Sequence, residues 1–212
     1  MAATILPNRE ALLCRGRRLE YFTIGYNCLE GLVSIVAGWI SGSLSLVGFG
    51  FDSLIEVTSA VALLWRLGPA HPASRREQVE RTTLRIVGGC FLALAAYILY
   101  ESGAALLRQA TPRRSIPGIM VAGLSVVVMP LLARAKRRVA GALGSGAMGA
   151  DSRQADFCAW LSAIVLGGLL LNALFGWWWA DPAAGLAMVP IIAREGVYGI
   201  RSRTCCETCH CP

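Results

Sequence analysis

The sequence predicts an all-α membrane protein: a polytopic bundle of six transmembrane helices. Two observations carry that reading. The 212 residues are 55% hydrophobic and 16% charged, where soluble domains lie near about 45–50% and 25%, and the mean hydropathy is +0.55. The apolar residues also gather into blocks separated by short charged stretches. Crossing a hydrocarbon core about 30 Å thick takes roughly 20 apolar helical residues, and the blocks have that length.

The first segment is expected over Glu20–Ile40. Before it, residues 1–19 form a leader carrying Asn8, Arg9, Glu10, Arg15, Arg17 and Arg18. The leader shows no apolar stretch ahead of a small-residue cleavage site, so no secretory signal is expected. The second, third and fourth segments are expected over Leu44–Leu67, Leu84–Leu107 and Ile116–Ala135. In the fourth, Pro117 suits a helix start, and Pro130 would kink or loosen the helix. The fifth and sixth, Phe157–Phe175 and Trp178–Ile192 with an extension to Ile200, are divided at Gly176, three tryptophans and Asp181-Pro182. Indole suits a membrane–water boundary, and Asp-Pro suits a turn that leads into a helix. The expected organisation is a leader (1–19), a six-helix transmembrane domain (20–200) and a tail (201–212).

Six spans put both termini on one side of the bilayer. That side collects Arg9, Arg15, Arg17, Arg18, Arg66, Arg75, Arg76, Arg81, Arg85, Arg134, Lys136, Arg137, Arg138, Arg153, Arg194, Arg201 and Arg203, and the other holds only Arg108, Arg113 and Arg114. Basic residues favour the cytoplasmic side, so both termini are expected there, in a plasma or inner membrane. The net charge of +7 thus has a topological origin. No segment is long enough to form the basic soluble domain that nucleic-acid binding needs, so no nucleic-acid partner is expected. No strand pattern, nucleotide loop or nucleophile–base set is visible, and neither enzymatic activity nor a cofactor is expected.

Polar residues inside the apolar blocks point to function, because a carboxylate in hydrocarbon costs several kcal/mol. Asp52 and Glu56 stand four apart in the second segment, one above the other on one helical face. Two like charges so placed must be neutralised. No Lys or Arg is expected in the interior of a spanning segment, which leaves a cation or protons. The alternatives are a cation site in which protons compete for the same oxygens, or a protonated pair hydrogen-bonded to a neighbouring helix. Ser45, Gly48 and Ser59 lie near the same stripe and let another helix approach. In the first segment, Asn27 and Glu30 share a face and either border the same cavity or join two helices. At the start of the fifth, Asp151, Gln154 and Cys158 fall at i, i+3 and i+7 on one face, with Asp156 elsewhere. These three either complete a metal site or serve as helix-terminal and packing residues. A mixed carboxylate, amide and thiol set leans toward Zn²⁺ or a neighbouring transition metal over Mg²⁺.

Four of the eight cysteines crowd the tail, Cys205-Cys206-Glu207-Thr208-Cys209-His210-Cys211-Pro212. On a reducing side they are expected as thiols. The tract reads as a soft-metal collector, with Cys205, Cys206, Cys209, His210 and Cys211 as ligands, as a redox pair Cys206/Cys209, or as a tail without a role.

The stretch Gly42-Ser43-Leu44-Ser45-Leu46-Val47 leading into Asp52-x-x-x-Glu56 resembles the second helix of the cation diffusion facilitator family. Ala150-Asp151-x-x-Gln154-x-x-x-Cys158 is similar to the Ala-Asp-x-x-His-x-x-x-Asp pattern of its fifth helix, with Gln and Cys in place of His and Asp. Gly176-Trp-Trp-Trp-Ala-Asp181-Pro182 resembles the family's Trp-x-Asp-Pro approach to the last helix. The resemblance implies a homodimer that exports Zn²⁺ or a similar divalent cation from the cytoplasm in exchange for protons. Asp52 and Glu56, then Gln154 and Cys158, would take the ligand positions. About twenty residues follow Ile192, so the expectation is a short branch without the family's cytoplasmic C-terminal domain. The competing expectations are a membrane thiol-disulfide oxidoreductase using Cys206 and Cys209, and a non-transporting metal-binding scaffold.

Overall fold

In the computed structural model, residues 6–66, 73–109 and 111–201 are described, and these form six helices. They are α1 (Leu6–Ser41), α2 (Leu44–Arg66), α3 (Ala73–Arg108), α4 (Ile116–Leu143), α5 (Gly146–Phe175) and α6 (Ala180–Ile200). Each contains an apolar stretch long enough to cross a membrane. The six-span architecture read from the sequence is therefore the architecture found.

The ends differ from expectation in a consistent direction. α1 begins fourteen residues before Glu20, α3 eleven before Leu84 and α5 eleven before Phe157, while α4 runs eight beyond Ala135. α6 includes the extension to Ile200 but begins two residues later than Trp178. All the extensions lie on the face that holds the start of α1 and the end of α6, called the terminal face below. Hydropathy marks where a helix enters hydrocarbon, not where its backbone hydrogen bonding stops. The charged extensions carry these helices past the ends of their apolar blocks.

The opposite face, the turn face, is closed by short connections with identifiable stops. Gly42, at φ 72°, turns the chain between α1 and α2, a left-handed conformation that costs glycine little. Ser115 caps α4 by accepting from the Gly118 amide at 3.2 Å, with proline in the first turn. Gly176, at φ 68°, ends α5, and Trp177 and Trp179 stack with ring centroids 5.2 Å apart before α6 begins. The division of the last apolar run thus falls at the glycine and tryptophans that suggested it.

The helices pack chiefly as three pairs, α1 with α2, α3 with α6 and α4 with α5. α2 is central, since it also touches α3, α5 and α6. Close approach beside Asp52 depends on glycine. A Cβ on Gly50 would lie 2.6 Å from Ile35 Cγ1 and 3.0 Å from the Gly31 carbonyl oxygen, so α1 and α2 meet almost backbone to backbone.

The bundle is inverted relative to a soluble one. Leu29, Trp39, Leu107, Met120, Trp160 and Leu174 face outward, while Glu20, Thr23, Asn27, Glu30 and Ser34 of α1 are buried. Those five recur at spacings of three and four, a polar stripe on the inner face. An apolar core of Leu46, Phe49, Phe91, Ile98, Met129, Leu161, Leu169, Met188 and Ile192 fills the space between helices. An apolar exterior around a polar seam suits a lipid surround.

Candidate functional site

Asp52 and Glu56 project from α2 into the seam, 2% and 1% exposed. By helical rise they lie about 12 and 18 Å from the α2 start, which is mid-depth in a core of about 30 Å. Asp52 Oδ2 and both oxygens of Glu56 have no hydrogen-bond partner. The Cys158 thiol, also buried, neighbours both carboxylates from α5. Asn27 of α1 neighbours Glu56, yet its amide oxygen and nitrogen remain unpartnered. The fold thus gathers two carboxylates, a thiol and an amide in a buried seam and leaves most of their polar atoms without a protein partner. Buried polar groups in native structures are overwhelmingly paired, so this concentration is the chemical signature of the site.

Among the described residues, no three His, Cys, Asp or Glu side chains come close enough together to hold a metal ion. The donor set nevertheless suits a divalent cation as substrate: two negative carboxylates supply charge and hard oxygens, and Cys158 adds a softer donor. Small side-chain rotations of Asp52 and Glu56 break no hydrogen bond at their free oxygens.

The other fifth-helix candidates divide. Gln154, half-buried, stands one turn from Cys158 toward the terminal face with its Nε2 unpartnered. Asp151 is engaged elsewhere: its Oδ2 accepts from Lys136 Nζ. Lys136 corrects the expectation that no basic residue lies inside a span. It is fully buried in α4, within the spanning stretch Ile116–Leu143, and also donates to Glu20 Oε2 at 3.1 Å. The fourth segment was expected to end one residue earlier, at Ala135, which placed this lysine in a loop. Asp156, as expected, points away from the seam and pairs with Arg137.

Glu30 proves to be a helix-joining residue. It accepts from Ser53 of α2 at 2.9 Å and from Ser125 of α4, and Tyr26 bonds Ser125 at 2.9 Å. Sequence reasoning passed over Glu20 and Lys136. The three-and-four spacing of Glu20, Thr23, Asn27, Glu30 and Ser34 in an apolar helix was the signal that could have found Glu20. The tail candidates Cys205, Cys206, Cys209, His210 and Cys211 lie outside the described residues.

Two parts of the sequence resemblance meet on the turn face. Asp181, at the start of α6, accepts from Ser43 Oγ and Ser45 Oγ at 2.5 Å each and from the Leu44 amide at 2.9 Å. The carboxylate therefore sits on the N-terminus of α2, where the helix dipole favours negative charge. The serine-rich start of α2 and the Asp-Pro start of α6 form one lock that fixes the helix carrying Asp52 and Glu56.

Comparison with known proteins agrees with the six-helix membrane fold. The profile of the cation efflux transmembrane domain matches residues 23–203, nearly the whole bundle. An uncharacterized transporter of Methanocaldococcus jannaschii is 30% identical over 174 residues, which are 79% of this chain and 61% of that protein. The chain thus spans less than two thirds of this relative's length. The match over the bundle shows that the chain belongs to the cation efflux family, and its six long apolar helices make it an integral membrane protein.

Proposed function

We propose that this member of the cation efflux family exports Zn²⁺, or a neighbouring transition-metal dication, from the cytoplasm in exchange for protons. It does so as a homodimer with both termini cytoplasmic, acting as a carrier with no enzymatic step. The observation that carries the reading is the set of unpartnered oxygens on Asp52 and Glu56 beside Cys158, at mid-depth in the seam. Two buried carboxylates one helical turn apart require neutralisation, and either a dication or protons supply it. Metal binding requires deprotonated ligands, so loading the cation releases protons, and reprotonation favours the return of the empty carrier. Asn27 neighbours Glu56 and would add a neutral donor, and Gln154, one turn from Cys158 on α5, would add a second. The excess of Lys and Arg on the terminal face supports the orientation.

Reconstituted vesicles test the reading. Zn²⁺ should accumulate against its gradient when driven by a pH difference, and a trapped dye should report metal-dependent proton counterflow. Apparent affinity should rise with pH as protons leave the ligand oxygens. Zn²⁺ flux indifferent to the pH gradient would discard the exchange and keep the carrier. Metal binding with no flux would favour a scaffold.

A further inference from the structure

The Glu20–Lys136–Asp151 cluster belongs to the same interior lane as the mid-depth site. Asp151 and Cys158 are seven residues apart on α5, and Glu20 and Asn27 are seven apart on α1. Both offsets equal two turns, about 10 Å along the axis. The cluster therefore forms a second tier, directly above the Asp52–Glu56–Cys158 tier toward the terminal face.

Its composition is unusual for a structural ion pair. One ammonium, fully buried, donates to Glu20 Oε2 and Asp151 Oδ2, while Glu20 Oε1 and Asp151 Oδ1 are buried without partners. A buried ion pair stabilises only where the remaining lone pairs are also satisfied, and here they are not. Two carboxylates facing a single positive charge need one further positive charge, a proton or a second cation, for balance. A dication would balance the pair and use the free oxygens, since hard and borderline dications take several oxygen ligands. Lys136 also acts electrostatically on Glu56 in the tier below. An ammonium displaced from Glu20 and Asp151 would therefore still feel negative charge nearby, and its four-carbon stem is flexible.

We propose that Glu20 and Asp151 form a receiving site for the transported dication, held by Lys136 as a tethered stand-in cation until the ion displaces it toward Asp52 and Glu56. The proposal rests on the reading of Asp52 and Glu56 as the transport site. It adds a second cation station and assigns Lys136 the role of a positioning residue.

Equilibrium Zn²⁺ binding to the purified full-length chain tests it. Lys136→Met should bind one Zn²⁺ more per chain than wild type, and the double variant E20Q/K136M should return to the wild-type number. The same gain should persist when Asp52→Ala and Glu56→Ala are added, so loss of the deeper site does not mask the upper one. A monodisperse Lys136→Met protein that binds no additional ion overturns the proposal. Glu20→Gln keeps the Lys136–Asp151 pair and decides the matter if Lys136→Met does not fold. In vesicles its KM for Zn²⁺ should rise several-fold while the maximal rate stays near wild type. An unchanged KM with a lowered rate would mean a structural role only and would overturn the receiving site.

Discussion

Asp181 and the Asp52–Glu56 pair are buried to nearly the same degree, at 1%, 2% and 1% exposure, yet they have opposite local chemistry. Asp181 has partners on both carboxylate oxygens: two serine hydroxyls on Oδ1 and an amide on Oδ2. The pair in the seam leaves three of its four oxygens unpartnered. Burial by itself therefore separates nothing here. Hydrogen-bond satisfaction does: the satisfied acid locks helices together, and the unsatisfied acids await a charge. The contrast predicts that substitutions at the two places will trade stability and transport in opposite directions.

Asp52→Ala is the strongest test. Loss of groups that merely orient metal ligands lowers affinity about 10–100-fold, so loss of a ligand carboxylate should lower Zn²⁺ flux by about 100-fold or more. The same substitution removes a buried carboxylate oxygen that nothing satisfies, and the metal-free protein should become more stable, by about 1–3 kcal/mol. Flux in proteoliposomes and thermal unfolding in detergent read the two effects separately. Wild-type flux would remove Asp52 from the site, and a large loss of stability would make it an Asp181-like lock.

Asp181→Ala should do the reverse. It strands the Ser43 and Ser45 hydroxyls and the Leu44 amide at the start of α2. Each lost hydrogen bond to a charged group counts for about 1.5–3 kcal/mol, with partial relief from water at the turn face, so a net loss of about 3–5 kcal/mol is expected. Whatever protein folds should retain Zn²⁺ affinity close to wild type, because no site residue is touched. Ser45→Ala is the milder form: Ser43 and the Leu44 amide stay on the carboxylate, and about 1–2 kcal/mol should be lost. A tenfold fall in affinity in either variant, with stability intact, would erase the contrast.

The sequence carried different parts of this picture with different clarity. The spans were legible because hydropathy over 20 residues is a strong signal, and Gly176 with its tryptophans marked the division of the last run. Asp52 and Glu56 were legible because a carboxylate in an apolar block has no ordinary explanation. Lys136 was not, because it sits where the block of α4 gives way to Arg137 and Arg138, and a one-residue difference in the boundary turns a buried partner into a loop charge. The partner of Asp151 was hidden for the same reason: helical spacing puts it on the face of Cys158, and only the packing of α4 against α5 brings Lys136 to it. The lock at Asp181 joins residues 136 to 138 positions apart, a distance at which motifs are visible one by one and their contact is not.

Cys158→Ser should have the smallest effect on total flux and the most specific effect on ion choice. The thiol neighbours both carboxylates and is buried to 1% exposure, and serine keeps its size class while replacing a soft donor with a hard one. Thiolate favours Zn²⁺ and its softer neighbours, whereas hydroxyl and carboxylate oxygens suit Mn²⁺. The ratio of Zn²⁺ to Mn²⁺ flux should therefore fall, with the faster of the two staying within about threefold of wild type. Folding should change little, because a buried Cys packs as a small hydrophobe and the new hydroxyl has the free oxygens of Asp52 and Glu56 beside it. If Cys158 only packs, as Asp181 only locks, the serine variant will transport both ions in the wild-type ratio. The unsatisfied oxygens would then set ion choice without the thiol.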